Sequence, residues 1–375
     1  MVRGMRAAWC DIDLEALRAN ADALVRQAGV PLLPIVKAEA YGHGLLPVAR
    51  CLGGHPEVWG LGVALTGEAA ELRRDGFTGR VLVLGGMLPE ECEEAVTAGA
   101  TVAISSLTLA EVLGRTATAL GHTVPVHLKV DVGMNRLGVP AGRAAEAAER
   151  IAATPGLRLE GILCHLGAAH DGEPASLART RAEVARFEGL TAPILARRGP
   201  LVRHAANSSA LLTLPEAAFD LVRPGLTLYG WRPAEWLPPR PELRPVLSLR
   251  ARVALVKTAG EGARVGYTQT PVPAGARLGV LPVGYGDGLP QAWGLKGGRV
   301  LFPDGPAPIV GSVCMDSCVV DLTDLPAVGQ GSIGLLLGAG PEGVISPEEV
   351  ARSTGRNVYE VLVGLAPRLP RRYLG

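Results

Sequence analysis

The chain has 375 residues, 48% apolar and 19% charged, with 37 Lys and Arg against 36 Asp and Glu. At ~150 residues per domain this length predicts two domains, and a net charge of +1 gives no electrostatic case for nucleic acid or an anionic membrane as a main partner. No apolar run approaches the ~18 residues of a membrane span. The stretch from Met1 to Asn20 carries Arg3 and Arg6, but Asp11, Asp13 and Glu15 follow a short apolar run, which is unlike a secretory signal. A soluble, cytoplasmic protein is expected.

In chain order, eight short apolar runs read as strands: Leu32–Val36, Trp59–Ala64, Val81–Leu84, Thr101–Ile104, Val124–Val130, Leu159–Cys164, Leu201–Ala205 and Leu221–Leu228. Helical stretches lie between them, including Glu90–Ala98, Ser106–Ala119, Ala141–Ala153 and Ala178–Leu190. Strands alternating with helices mean βαβ units and a parallel sheet. Eight units over residues 1–240 predict a (β/α)8 TIM-type barrel. A doubly wound sheet is the runner-up, but its GxGxxG fingerprint after the first strand is missing.

The proline-rich segment Arg232–Pro245 reads as a linker. Beyond it, Val246–Thr258, Arg277–Val283, Gly298–Phe302, Ile309–Val313, Cys318–Leu322 and Gly331–Leu337 are strand-like, with helices only at Pro347–Ser353 and Val358–Leu365. Residues 241–375 therefore form a mostly β C-terminal domain, with residues 1–12 able to pack beside it. The six cysteines are thinly spread and read as free thiols. Neither they nor the seven histidines show a metal-binding spacing, so no metal is expected.

In such a barrel the active site lies at the C-terminal ends of the strands. Polar groups collect there: Lys37 after the first strand, His127, Lys129 and Asp131 on the fifth, His165 after the sixth, His204 and then Asn207-Ser208 after the seventh, and Arg223-Pro224-Gly225 at the eighth. Lysine is scarce, with only Lys37, Lys129, Lys257 and Lys296 in the chain. Unlike arginine, lysine can lose its proton and become a nucleophile. Lys37 is thus either an ion-paired structural residue or a Schiff-base lysine. Donors near strands seven and eight suit a phosphate, and phosphate with an aldehyde-reactive lysine points to pyridoxal phosphate.

The stretch from Val36 through Lys37-Ala38-Glu39-Ala40-Tyr41 to Gly44 closely resembles the cofactor-attachment signature of alanine racemases. The resemblance continues through His127–Asp131, Gly133–Gly138, His165, Ala206–Ser208, Arg223–Gly225, Gly266-Tyr267, Gly284–Gly288, Cys314–Asp316, Asn357–Glu360 and Arg368–Arg371, in family order. It implies a homodimer of barrel and β domains that interconverts L- and D-alanine by a two-base mechanism on a pyridoxal phosphate aldimine, supplying D-alanine for peptidoglycan. It implies Lys37 as the cofactor-linked base and Tyr267, from the partner subunit, as the opposite base. Tyr41, Asn207, Ser208, Gly225, Leu226 and Tyr359 match the phosphate set. Arg223 matches the residue at the pyridine nitrogen and His165 the bridge in its network. Arg136 matches the arginine near the phenolic oxygen and the substrate carboxylate. Met315 and Tyr285 resemble the partner-subunit wall of the substrate pocket, and Lys129 a lysine often carbamylated. Glu39, Thr268 and Gln291 depart from the usual pattern without removing a catalytic group. The alternatives are a broad-substrate racemase, another barrel enzyme using this cofactor such as an amino-acid decarboxylase, and a non-enzymatic single-barrel binding protein.

Overall fold

The structure is a computed structural model and describes residues 6–375; Arg3 lies outside the described residues. The chain divides into two compact bodies. One comprises residues 17–40 and 45–244. The other comprises the residues up to Ala16, Tyr41–Gly44 and Pro245–Gly375.

The first body is the barrel. Six parallel strands, Leu61–Val63, Val81–Val83, Thr101–Ile104, Val124–Asp131, Leu157–Leu163 and Val202–His204, lie side by side in chain order. Two further segments close the ring. Leu32 bridges Val58 on one side and Val222 on the other, while Leu33 N–H donates to Val222 O at 2.8 Å and Gly62 N–H to Pro34 O at 2.8 Å. These first and eighth segments form bridges rather than long ladders because Pro31, Pro34 and Pro224 have no N–H to donate. For the same reason the expected strand Leu221–Leu228 is cut short. It ends at Pro224-Gly225, and Leu226–Tyr229 forms a 3-10 turn.

The helices outside follow the expected pattern, with one extension. Pro174–Arg198 continues well past Leu190 and carries Pro193 in its interior. Leu33, Leu82, Ala103, Leu163 and Leu221 pack as one apolar cluster drawn from five different strand positions. Each such leucine contributes about 1.5–3 kcal/mol of burial. The proline-rich segment is fastened in place. Asn20 donates to Arg244 O and accepts from Arg244 N–H, both at 2.8 Å, and Arg232 donates to Pro238 O at 2.7 Å.

The second body is mostly β. Its larger sheet runs in the order Gly305–Pro308, Arg299–Phe302, Ile333–Gly340, Leu247–Arg252, Ala8–Asp13 and Arg371–Leu374, with Gly343–Ile345 pairing off Ile333–Gly340. The N-terminal strand Ala8–Asp13 therefore sits inside the C-terminal sheet, antiparallel to Leu247–Arg252 and parallel to Arg371–Leu374. A second sheet holds Leu255–Thr258, Arg277–Leu281 and Cys318–Asp321. The strand expected over Ile309–Val313 is reduced to one bridge between Ile309 and Val320, since Gly311 turns the chain at φ +72°.

Candidate active site

Lys37 begins a turn of unusual handedness. Ala38, Glu39, Ala40 and Tyr41 have φ of +52, +56, +49 and +56°, and Gly42 follows at +84°. A left-handed conformation costs an L-residue roughly 1–2 kcal/mol, so four in succession need support. Ala40 N–H donates to Val36 O at 2.9 Å, Ala38 N–H to Glu68 Oε1 at 2.6 Å and Leu45 N–H to Glu39 Oε2 at 3.2 Å. Glu39 thus caps the following helix, a role its longer side chain fills. Lys37 is exposed at the mouth although heavy atoms crowd around it. That crowding, and then the charge of Arg136, lower its ammonium pKa below the ordinary lysine range, while Glu68 opposes them.

Behind Lys37 the barrel carries an excess of cations. Lys129 is buried, donates to Leu84 O at 3.1 Å, and has its pKa lowered to about 8 by burial and by Arg223, Arg136 and Lys37. Arg223 is buried and has no carboxylate partner among the described residues. Its guanidinium donates to Cys164 O at 2.8 Å, Ala205 O at 2.9 Å, His204 Nδ1 at 3.1 Å and His165 Nδ1 at 3.4 Å. Arginine has no acceptor, so each of these partners must accept. His204 therefore carries its proton on Nε2 and donates it to His127 Nδ1, 2.7 Å away, and His127 in turn carries its proton on Nε2. That Nε2 is buried without a partner among the described residues. Burial, and then the charge of nearby arginines, push His127 and His165 down to about 3 and His204 well below its usual value. All three rings are neutral at physiological pH.

Beside Arg223, two short helical turns begin close together. Asn207 caps the helix Ser208–Thr213, its Oδ1 accepting from Ala210 N–H at 3.1 Å while its Nδ2 donates to Leu166 O at 3.0 Å. Its side chain is committed to building the turn. Ser208 Oγ accepts from Gly225 N–H at 2.9 Å and from Thr227 Oγ1 at 3.0 Å. With both lone pairs filled, its remaining capacity is to donate its own proton. Leu226 opens the neighbouring 3-10 turn.

The second body carries the remaining residues. Tyr41 and Tyr359 approach with ring centroids 6.0 Å apart, and burial raises both phenols above the usual tyrosine range. Tyr41–Gly44 is anchored to this body by Arg371 Nε donating to Gly42 O at 3.1 Å and Tyr373 OH donating to His43 O at 3.2 Å. Tyr267 is 87% exposed, and Tyr285 and Met315 are also exposed. Tyr285 and Met315 are held together through the backbone, with Tyr285 N–H on Cys314 O and Gly286 N–H on Met315 O, both 2.9 Å. Thr268, in place of the glycine often found there, bonds Thr270 Oγ1 at 2.9 Å and accepts from Ser312 N–H at 3.3 Å. Gln291 contributes its backbone carbonyl to Val313 N–H at 3.0 Å.

The structure therefore gathers Lys37, Lys129, Arg136, His165, Asn207, Ser208, Arg223, Gly225 and Leu226 in the barrel body, and places Tyr41, Tyr267, Tyr285, Met315 and Tyr359 in the other. Sequence reading named His127 and His204 only as polar strand ends and passed over Glu68 entirely. Nothing local marks Glu68: it stands three residues after Leu65, where a capping box would need a serine or threonine. Among the described residues no cluster of three or more His, Cys, Asp or Glu could hold a metal, and no helix is long and apolar enough to cross a membrane.

Comparison with known proteins agrees with this layout. The alanine racemase N-terminal domain matches residues 12–233 and the alanine racemase C-terminal domain residues 246–373. An alanine racemase of Desulfovibrio desulfuricans is 37% identical over 378 residues, with 100% of each chain covered. The solved alanine racemase of Clostridium difficile 630 superposes with a TM-score of 0.91 at 27% identity, covering 99% of this chain and 96% of that one. That of Streptomyces coelicolor A3(2) gives 0.88 at 36%, covering 98% of each. This chain belongs to the alanine racemase family, isomerases that act on an amino acid.

Proposed function

We propose that this chain interconverts L- and D-alanine on pyridoxal 5′-phosphate, with Lys37 and Tyr267 as its two bases. In this reading it acts as a cytoplasmic homodimer with sites shared between subunits, and provides D-alanine for peptidoglycan. The observation that carries the reading is the Lys37 amine, exposed at the barrel mouth with its pKa lowered, in the same body as a buried arginine that no described carboxylate neutralises.

The residues present suit that cofactor. Lys37 offers an amine, and among the described residues nothing accepts a hydrogen bond from it. Ser208 offers a hydroxyl proton, and Leu226 opens a turn beside it. Together with Gly225, Tyr41 and Tyr359 they would hold the phosphate, while Asn207 shapes the turn. Pyridoxal phosphate, when bound, supplies an electron-withdrawing ring that makes the hydrogen on a linked amino acid's α-carbon acidic.

Lys37 takes or returns that proton on one face and Tyr267 on the other, so inversion needs no rotation of the substrate. A lysine near ~10.4 is a poor base at neutral pH, and the lowered Lys37 pKa moves it in the direction the task requires. Arg223 can only donate, so it would hold the cofactor's ring nitrogen as an acceptor, unprotonated. That would weaken the ring as an electron sink and favour racemisation over transamination. His165 steadies that guanidinium. Arg136 would serve the cofactor's phenolic oxygen and the substrate carboxylate, and Met315 and Tyr285, from the partner subunit, would wall the pocket. Lys129, with a pKa of about 8 among three cations, keeps enough free amine to add carbon dioxide. That step releases one proton and leaves a carbamate anion to pair with Arg136.

The test is visible absorbance of the purified protein, then loss of optical rotation from L-alanine. Both are expected in the wild type. Lys37→Ala should lose the visible band and nearly all activity. A borohydride-trapped cofactor adduct persisting in Lys37→Ala would refute the assignment.

A further inference from the structure

Glu68 lies on the helix Thr66–Arg74, which follows the second barrel strand. One of its carboxylate oxygens accepts from Ala38 N–H at 2.6 Å. The other accepts from Ala64 N–H at 2.7 Å and Leu65 N–H at 3.0 Å. The Leu65 bond is ordinary helix capping by a glutamate at N3. The Ala38 bond has no part in capping, since it reaches back 30 residues along the chain to the peptide that follows Lys37. There it meets the first residue of the left-handed run. Bonds from N–H to a carboxylate are roughly twice as strong as neutral ones, which suits them to holding strained backbone.

We propose that Glu68 is a positioning residue for Lys37: its carboxylate grips the N–H immediately after the lysine and fixes the direction in which that side chain leaves the strand. The inference rests on Lys37 as the cofactor-linked amine. Glu68 also sets charge. Burial and the cation Arg136 push the Lys37 ammonium down and Glu68 is the anion that counters them, while Lys129 and the neutral His165 lie near enough to feel the charge of Lys37 themselves. Removing the anion while keeping the shape therefore separates two effects. Geometry governs how fast a fully deprotonated amine reacts, and charge governs the pH at which it becomes deprotonated.

The experiment strips the full chain of cofactor, adds pyridoxal phosphate, quenches with borohydride at intervals and locates the trapped lysine by peptide mass, from neutral to alkaline pH. Wild type should trap at Lys37. Glu68→Gln keeps the shape but has only one accepting oxygen. It should trap Lys37 about tenfold more slowly at the alkaline plateau, with the midpoint about one pH unit lower. Glu68→Ala should be slower still, and if it fails to fold, Glu68→Gln decides the matter. A Glu68→Gln plateau rate equal to wild type overturns the proposal, whatever the midpoint does. Trapping of wild type at a different lysine overturns the Lys37 assignment instead, and the role of Glu68 with it.

Discussion

The guanidinium of Arg223 has no lone pair, so each of its contacts dictates where a proton sits on the partner. From Arg223 through His204 to His127 the protons all point one way, ending on a buried His127 Nε2 without a described acceptor. Neutral imidazole is the form this arrangement holds, consistent with folded-state values pushed far below the usual 6.5. The unfolded chain takes up protons at these histidines as pH falls through about 6.5, while the folded chain does not. Their contribution to stability is therefore complete at neutral pH and is lost progressively between about 6.5 and 3. Each such histidine adds a slope of at most about 1.4 kcal/mol per pH unit. His127→Gln should be less stable at pH 7 yet lose less on acidification. Urea unfolding of both proteins at pH 7 and pH 5 measures this, and parallel losses would contradict it. The buried carboxyl of Asp287, held down by Arg6 and Arg368, acts in a lower window, below the ordinary carboxylate range.

The turn from Lys37 to Gly42 combines a legible motif with an illegible conformation. Its residues identify the attachment segment, yet Ala38, Glu39 and Ala40 are ordinary right-handed helix formers. Local propensity argues against the left-handed φ values they adopt, and a tertiary bond from Glu68, with a bond from Ala40 back to Val36 within the turn, overrides it. Gly42 is different, since a Cβ there would collide with the Leu362 carbonyl. Ala38→Gly should relieve left-handed strain of about 1–2 kcal/mol and lose part of that to unfolded-state entropy. The expected net gain is about 0.5–1 kcal/mol, read as a higher urea midpoint at constant slope. A loss of about 1 kcal/mol, the usual effect of glycine in a right-handed helix, would show that the turn is not strained in solution.

On the scale of the whole molecule, the proposed bases lie in different bodies, Lys37 in the barrel and Tyr267 in the β body. The proposed reading brings them together between subunits, and subunit mixing tests that. Lys37→Ala and Tyr267→Phe should each be nearly inactive alone. When the two are co-expressed equally and pair at random, about half the dimers are mixed, and each mixed dimer has one site with both defects and one with neither. About a quarter of wild-type activity should return. No recovery, with mixed dimers confirmed by mass, would rule out the shared site.

By itself the sequence determined the kind of molecule. Alternating apolar runs and helices predict a parallel sheet and, at eight units, a barrel ahead of a doubly wound sheet; turn-punctuated short strands predict a β region after it, and the ordered motifs from Lys37 to Arg371 mark the family. These are short-range properties, written in periodicity and in residue type at a position. Only the tertiary structure decided what depends on contacts distant in the chain. It placed Ala8–Asp13 between Leu247–Arg252 and Arg371–Leu374, reduced Leu221–Leu228 and Ile309–Val313 to bridges and turns, and joined His127 to His204 across 77 residues. It also brought Glu68 onto the peptide after Lys37. A carboxylate on a helix and a histidine in a strand look like any others until the fold shows which backbone N–H or ring nitrogen they meet. Satisfying buried polar groups is a condition on the assembled molecule and leaves no local pattern to read.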